Sequence, residues 1–90
     1  MLPRSLADMA VDLNAKVVGD ALISGLAIDS RQAKDGDLFV ALIPERDGHT
    51  FIDDAARSGA SAALVSHPTS VLPSICVSDT QVAMTALARS

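Results

Sequence analysis

Asp37-Leu38-Phe39-Val40-Ala41-Leu42-Ile43 is a seven-residue segment with a nearly continuous apolar run. A strand with one wet face alternates polar and apolar residues, so an unbroken run predicts burial on both faces, as in a strand covered by helices above and below. Pro44 ends it, because proline has no amide to donate to a central ladder. Upstream, Asp35-Gly36 is a turn signal, preceded by a polar loop from Ser30 to Lys34 and an extended segment from Ile23 to Asp29. Further back, Lys16-Val17-Val18 reads as a short strand ended by Gly19-Asp20. Leu6, Met9, Ala10 and Leu13 share one face of a helix from Ser5 to Asn14, with Ser5 as its cap and Asp8 in its first turn.

Downstream, Pro44 to His49 is a charged loop. Thr50 is placed to cap a helix to Ser58, with Asp53 three residues on, Gly59 as its stop, and Phe51, Ile52, Ala55 and Ala56 as its apolar stripe. Ala62-Ala63-Leu64-Val65 is a second buried strand. His67 to Pro73 is a proline-punctuated loop, and Ile75-Cys76-Val77 is a short strand. Asp79 caps a last helix with Val82, Ala83, Ala86 and Leu87 on one side. The alternation of strand and helix is that of an α/β layer fold. The last helix reaches Ser90 with no stop signal, which predicts that the natural chain continues.

Composition sets limits on the partner. Ninety residues make one small domain. The apolar content of 49% argues against disorder. The net charge of −4 disfavours nucleic acid and anionic membranes, which need a basic face. A small phosphate ligand remains compatible, because exposed charges are screened beyond about 8 Å at physiological salt while one charge-assisted hydrogen bond contributes about 1.5–3 kcal/mol locally. Phe39 and Phe51 are the only aromatics, so a stacking platform for bases is nearly absent. The single cysteine, Cys76, predicts a small buried hydrophobe rather than a reactive thiol. Asp8 and Asp12 interrupt any signal-peptide core, and no stretch approaches the roughly 20 apolar residues of a membrane span. A cytoplasmic protein is expected.

Two polar stretches are candidates for chemistry. Asp29-Ser30-Arg31 sits where a strand gives way to a loop, a place that presents side chains and free amides together. Arg31 offers a planar fork of donors for phosphate oxygens, and Ser30 both donates and accepts. The bland alternative is a turn held by Asp29 with a solvated arginine. Pro44 to His49 is the second: Arg46 brings another guanidinium, Gly48 allows close approach, and His49 lies just before a helix N-terminus that favours anions. Here the alternative is a polar connection with a capping role. The sequence has no Gly-x-x-x-x-Gly-Lys-Ser/Thr loop, no Gly-x-Gly-x-x-Gly fingerprint and no Gly-x-Ser-x-Gly elbow. Its two histidines, His49 and His67, have no companions at metal-ligand spacing. Asp53-Asp54 reads as a solvated helix face. No self-contained catalytic apparatus is present.

Taken in order, Ile28-Asp29-Ser30-Arg31, Gly36-Asp37-Leu38-Phe39-Val40-Ala41-Leu42, Asp47-Gly48-His49-Thr50-Phe51, and Gly59-Ala60 with Ala63-Leu64-Val65 resemble the N-terminal domain of the Mur ligases. These are ATP-dependent enzymes that add amino acids to UDP-N-acetylmuramic acid. The resemblance spans about residues 15 to 89. It implies a small mixed sheet with flanking helices over residues 1–90, holding the uridine diphosphate (UDP) end of a UDP-N-acetylmuramoyl-peptide. The ATP-binding central domain and the C-terminal domain would lie outside this chain. It implies no cofactor here, ATP and Mg2+ in the full-length enzyme, and the central ATPase domain as the partner. By position it assigns Asp29, Ser30, Arg31, Glu45, Arg46 and Asp47 to the UDP site. Relatives often read Gly-Glu-Arg-Phe-Asp-Gly-His in the second stretch; this chain has Pro44 in place of the glycine and lacks the aromatic between Arg46 and Asp47. Leu72-Pro73-Ser74-Ile75-Cys76-Val77-Ser78-Asp79-Thr80 looks most like the branch that adds D-alanyl-D-alanine, with the branch that adds diaminopimelate or lysine as near competitor. A different class also stays open: a non-catalytic module whose last helix docks on a partner protein.

Overall fold

The computed structural model of the chain describes residues 3–42, 48–67 and 69–89. In chain order the elements are β1 (Arg4–Ser5), α1 (Leu6–Leu13), β2 (Lys16–Val18), β3 (Leu22–Ile23), β4 (Gly25–Ala27), β5 (Asp37–Val40), α2 (Gly48–Ser58), β6 (Ala62–Val65), β7 (Ser74–Cys76) and α3 (Thr80–Arg89). Among the described residues, five strands form one mixed sheet in the order β2-β7-β6-β5-β4. Strands β4 to β7 run parallel, and β2 closes the far edge antiparallel to β7. β1 and β3 pair in a separate antiparallel ribbon. This is the α/β fold expected, a small mixed sheet with flanking helices.

The two faces of the sheet explain the apolar runs. Successive side chains on a strand point to opposite faces. Leu38 and Val40 of β5, Ala62 and Leu64 of β6, and Ile75 of β7 pack against Leu6, Met9 and Ala10 of α1 and Ala83 and Leu87 of α3. Phe39, Ala63 and Val65 pack on the other face against Ile52 and Ala55 of α2. β5 and β6 are buried at every position, so neither has a wet face on which polar residues would appear.

The helix ends follow local hydrogen bonding. The Ser5 hydroxyl accepts from the Asp8 amide at 3.1 Å, and α1 stops at Asn14 in the left-handed region at φ 51°. The Asp79 carboxylate accepts from the amides of Gln81 and Val82 at 3.0 and 3.1 Å, which starts α3.

Several expectations are corrected. The extended segment from Ile23 to Asp29 is two strands, broken at Ser24. There the amides of Ser24 and Gly25 both donate to the Gly36 carbonyl, which hands the chain from the ribbon to the main sheet. α2 begins at Gly48, so Thr50 lies within the helix rather than capping it, His49 falls in its first turn rather than ahead of it, and Asp53 is not in that turn. On α3 the buried face is Thr80, Ala83 and Leu87, while Val82 is 65% exposed and Ala86 faces solvent. The cap at Asp79 and the side-chain bond made by Thr80 fix that rotation, and neither is visible in apolar spacing. β5 ends at Val40, although Ala41 adds one more ladder bond by donating to Leu64 at 3.0 Å. Ile43 lies outside the described residues. Cys76 is half-buried against the α2 cluster rather than fully enclosed.

Gly36 is the tight point of the β3–β4 to β5 junction. Its φ of +88° lies where side chains rarely go, and an added Cβ would clash with the Ser24 hydroxyl oxygen. Left-handed backbone costs a non-glycine residue about 1–2 kcal/mol. Gly36→Ala is therefore expected to lower unfolding free energy by at least about 1 kcal/mol in urea titration. Leu64→Ala, which empties a fully buried site in the central sheet, is expected to cost about 2–5 kcal/mol.

Candidate functional site

Parallel strands end together. The carboxyl ends of β4 and β5 deliver residues 28–31 and 41–42 to the same edge of the sheet, and α2 stands beside them. Between these walls lies a cleft of about 490 Å3 lined by Ile28, Asp29, Ser30, Arg31, Phe39, Val40, Ala41, Leu42, Phe51 and Asp54. Clefts outside the carboxyl ends of strands are the usual ligand sites of α/β sheets, since no ladder partner consumes the last amides and carbonyls there.

Asp29 shapes the first wall. Its carboxylate oxygen Oδ1 accepts from the Arg31 amide at 2.9 Å and from Arg31 Nε at 3.4 Å, and the Gln32 amide donates back to the Asp29 carbonyl at 3.0 Å. This aspartate-led turn lifts residues 30–32 over the strand end. Ser30 inside it is only 6% exposed, with no hydrogen bond from its hydroxyl to the described residues. Arg31 is the opposite: its side chain is 84% exposed and its pairing to Asp29 engages Nε alone, leaving the far guanidinium nitrogens for another acceptor. The Arg31 amide first, and its guanidinium second, hold the Asp29 carboxyl below the usual aspartate range.

The floor is β5. Ala41 is satisfied on both sides: its amide donates to Leu64, and its carbonyl accepts from the Thr80 hydroxyl at 2.8 Å. That second bond fastens the start of α3 to the strand end that carries the cleft. The opposite wall is α2, where Phe51 and Asp54, three residues apart, occupy one helical face. Asp54 Oδ1 accepts from Arg57 at 2.9 Å.

Of the residues singled out from sequence, Asp29, Ser30 and Arg31 are brought together in this cleft. Glu45, Arg46 and Asp47 lie outside the described residues, so their distance from Ser30 is not defined; in sequence, Glu45 comes three residues after Leu42, a cleft residue, and Asp47 immediately precedes α2. Sequence reasoning missed Phe39, Phe51 and Asp54 as lining. Both aromatic residues of the chain border this one cleft, which a count of aromatics does not reveal. Asp54 read as a solvated helix face; its spacing from Phe51 was the available signal.

Residues 22–89 match the family model described as "Mur ligase family, catalytic domain". The chain belongs to the Mur ligase family. It is 40% identical over 98% of its length to the UDP-N-acetylmuramoyl-tripeptide--D-alanyl-D-alanine ligase of Escherichia coli, of which it covers 20%. It is 49% identical to the UDP-N-acetylmuramoyl-L-alanyl-D-glutamate--2,6-diaminopimelate ligase of Rhizobium meliloti, but over 57% of its length and 11% of that protein. Among solved structures, the D-alanyl-D-alanyl ligase from Acinetobacter baumannii superposes with a TM-score of 0.79 at 27% identity, covering 94% of this chain and 20% of that one. This Mur ligase chain thus spans about a fifth of the length of the relatives it matches end to end.

The Asp29 turn has a titration signature. A carboxyl held below its unfolded value contributes stability that is present above the unfolded pKa and lost as pH falls through the folded one. By NMR, Asp29 is expected to titrate below an unstructured aspartate. Arg31→Ala is expected to recover only part of that difference, because the backbone amide, the larger cause, remains. Full recovery would show that the turn itself depends on the guanidinium.

Proposed function

We propose that this chain is the N-terminal, substrate-binding part of an ATP-dependent Mur ligase that joins D-alanyl-D-alanine to UDP-N-acetylmuramoyl-tripeptide in peptidoglycan precursor synthesis, acting in the cytoplasm. The observation that carries the reading is the cleft at the ends of β4 and β5, which sets the Ser30 hydroxyl and the Arg31 guanidinium beside half-buried apolar surface from Phe51. That combination suits a nucleoside diphosphate: anionic oxygens for the arginine, hydroxyls for the serine, and an apolar face for the base. The D-alanyl-D-alanine branch is favoured over the diaminopimelate branch because the similarity to it runs over nearly the whole chain.

The residues present do not fit ATP or Mg2+. The sequence has no phosphate loop, and among the described residues no group of three His, Cys, Asp or Glu is placed to hold a metal. We assign both to the remainder of the enzyme, in its central and C-terminal domains, where ATP would supply the activation of the peptide carboxylate. This chain contributes positioning. Grip on the distant UDP group fixes where the peptide carboxylate lies, and binding energy from a remote group is most useful when spent on orientation. In this assignment Asp29 holds the turn, Ser30 and Arg31 contact the nucleotide, and Glu45, Arg46 and Asp47 border the same site. No helix among the described residues is long and apolar enough to cross a membrane.

The test is a UDP titration followed by NMR. Shifts are expected to cluster at residues 28–31, 39–42, 51 and 54, and Arg31→Ala to weaken binding by about 1.5–3 kcal/mol. Arg31→Lys is expected to restore little, since an ammonium lacks the fork. Unchanged affinity in a folded Arg31→Ala protein would remove Arg31 from the site, and shifts confined to α3 would favour a protein-docking role.

A further inference from the structure

We infer that Asp54 is a specificity-determining residue of the same cleft, accepting hydrogen bonds from the ribose diol and thereby fixing the direction in which a nucleotide lies. This rests on the nucleotide reading above and adds to it the orientation of the ligand and the sugar it selects. The cleft lining carries its cation on one side only: Arg31, paired through Nε with Asp29, lies at the β4 end, and across β5 the α2 wall presents Asp54, whose partner Arg57 is not a lining residue. Arg31 side-chain pairing engages only Nε, so the cationic wall has donors to spare. Asp54 Oδ1 is engaged by Arg57 at 2.9 Å, no bond to Oδ2 occurs among the described residues, and Asp54 is part-exposed at the cleft.

An ionised carboxylate accepts and never donates. It repels phosphate oxygens, so the diphosphate belongs on the Arg31 side and a donor-bearing part of the ligand on the Asp54 side. A uridine offers two kinds of donor. The imide N–H is flanked by two carbonyl oxygens that a carboxylate would meet with like polarity. The 2′ and 3′ hydroxyls present two donors and no such flanking charge, and acidic side chains serve the ribose hydroxyl in the same way in dinucleotide-binding α/β folds. Phe51, one turn earlier on the same helical face, offers apolar surface next to the sugar for the base. Arg57 engages Oδ1 of the carboxylate and leaves Oδ2 unengaged among the described residues.

The test compares UDP with its 2′,3′-dideoxy analogue by calorimetry, on the unaltered protein, Asp54→Ala and Arg57→Ala. The unaltered protein is expected to prefer UDP about tenfold, the scale of a lost charge-assisted contact. Asp54→Ala is expected to bind both ligands alike, with UDP weakened to the level of the analogue. Arg57→Ala, which removes the ion pair but leaves the carboxylate, is expected to keep the preference. A folded Asp54→Ala protein that still prefers UDP, or an unaltered protein that binds both ligands equally, overturns the assignment of Asp54 while leaving the nucleotide reading intact. Failure of the unaltered protein to bind UDP at millimolar concentration overturns that reading, and the assignment of Asp54 with it.

Discussion

The double burial of β5 and β6 is the constraint from which the rest follows. Leu38, Val40, Ala62 and Leu64 on one face and Phe39, Ala63 and Val65 on the other need helices on both sides, and the chain supplies α1 and α3 to one and α2 to the other. Covered on both faces, the central strands run parallel, and parallel strands discharge their ends at a common edge. The cleft lies there because β4 and β5 stop beside α2, whose Phe51 and Asp54 supply the opposite wall. Burial thus decides where a ligand can be received before any polar residue is considered.

Much of this was legible in the sequence, and the reasons it was legible are physical. The nearly continuous apolar run after Asp37 and the run Ala62 to Val65 announce strands without a wet face, and Ser5, Asn14, Gly59 and Asp79 mark helix ends through hydrogen-bonding capacity or backbone freedom that few residue types share. What was not legible depends on contacts distant in sequence. The break at Ser24 is set by the Gly36 carbonyl, and the rotation of α3 is tied to Ala41, 39 residues before the threonine that binds it. Apolar spacing placed Val82 inward because a valine resembles a core residue; it is exposed because Thr80, a polar residue, takes a buried place on the face that α3 turns inward.

The candidate site was half legible for a related reason. Asp29, Ser30 and Arg31 are contiguous, so the strand-to-loop transition that creates their wall can be seen in a single stretch. Phe39, Phe51 and Asp54 come from two other elements, and nothing in their own neighbourhoods distinguishes a cleft-lining aspartate from a solvated one. The turn at Asp29 is observed and is compatible with a ligand role for Arg31: the carboxylate engages one amide and one guanidinium nitrogen of Arg31 and leaves the remaining guanidinium nitrogens unengaged by it.

The hydroxyl of Thr80 on the Ala41 carbonyl makes the last helix a lever on the cleft floor. α3 packs on the sheet through Ala83 and Leu87, and its first residue is bonded to the strand end that floors the cleft. A pull or twist applied along α3 is therefore felt at Ala41 without passing through a flexible loop. The cleft floor and the pose of α3 are thus joined by a bond between a side chain and a backbone oxygen, in addition to the apolar packing of Ala83 and Leu87.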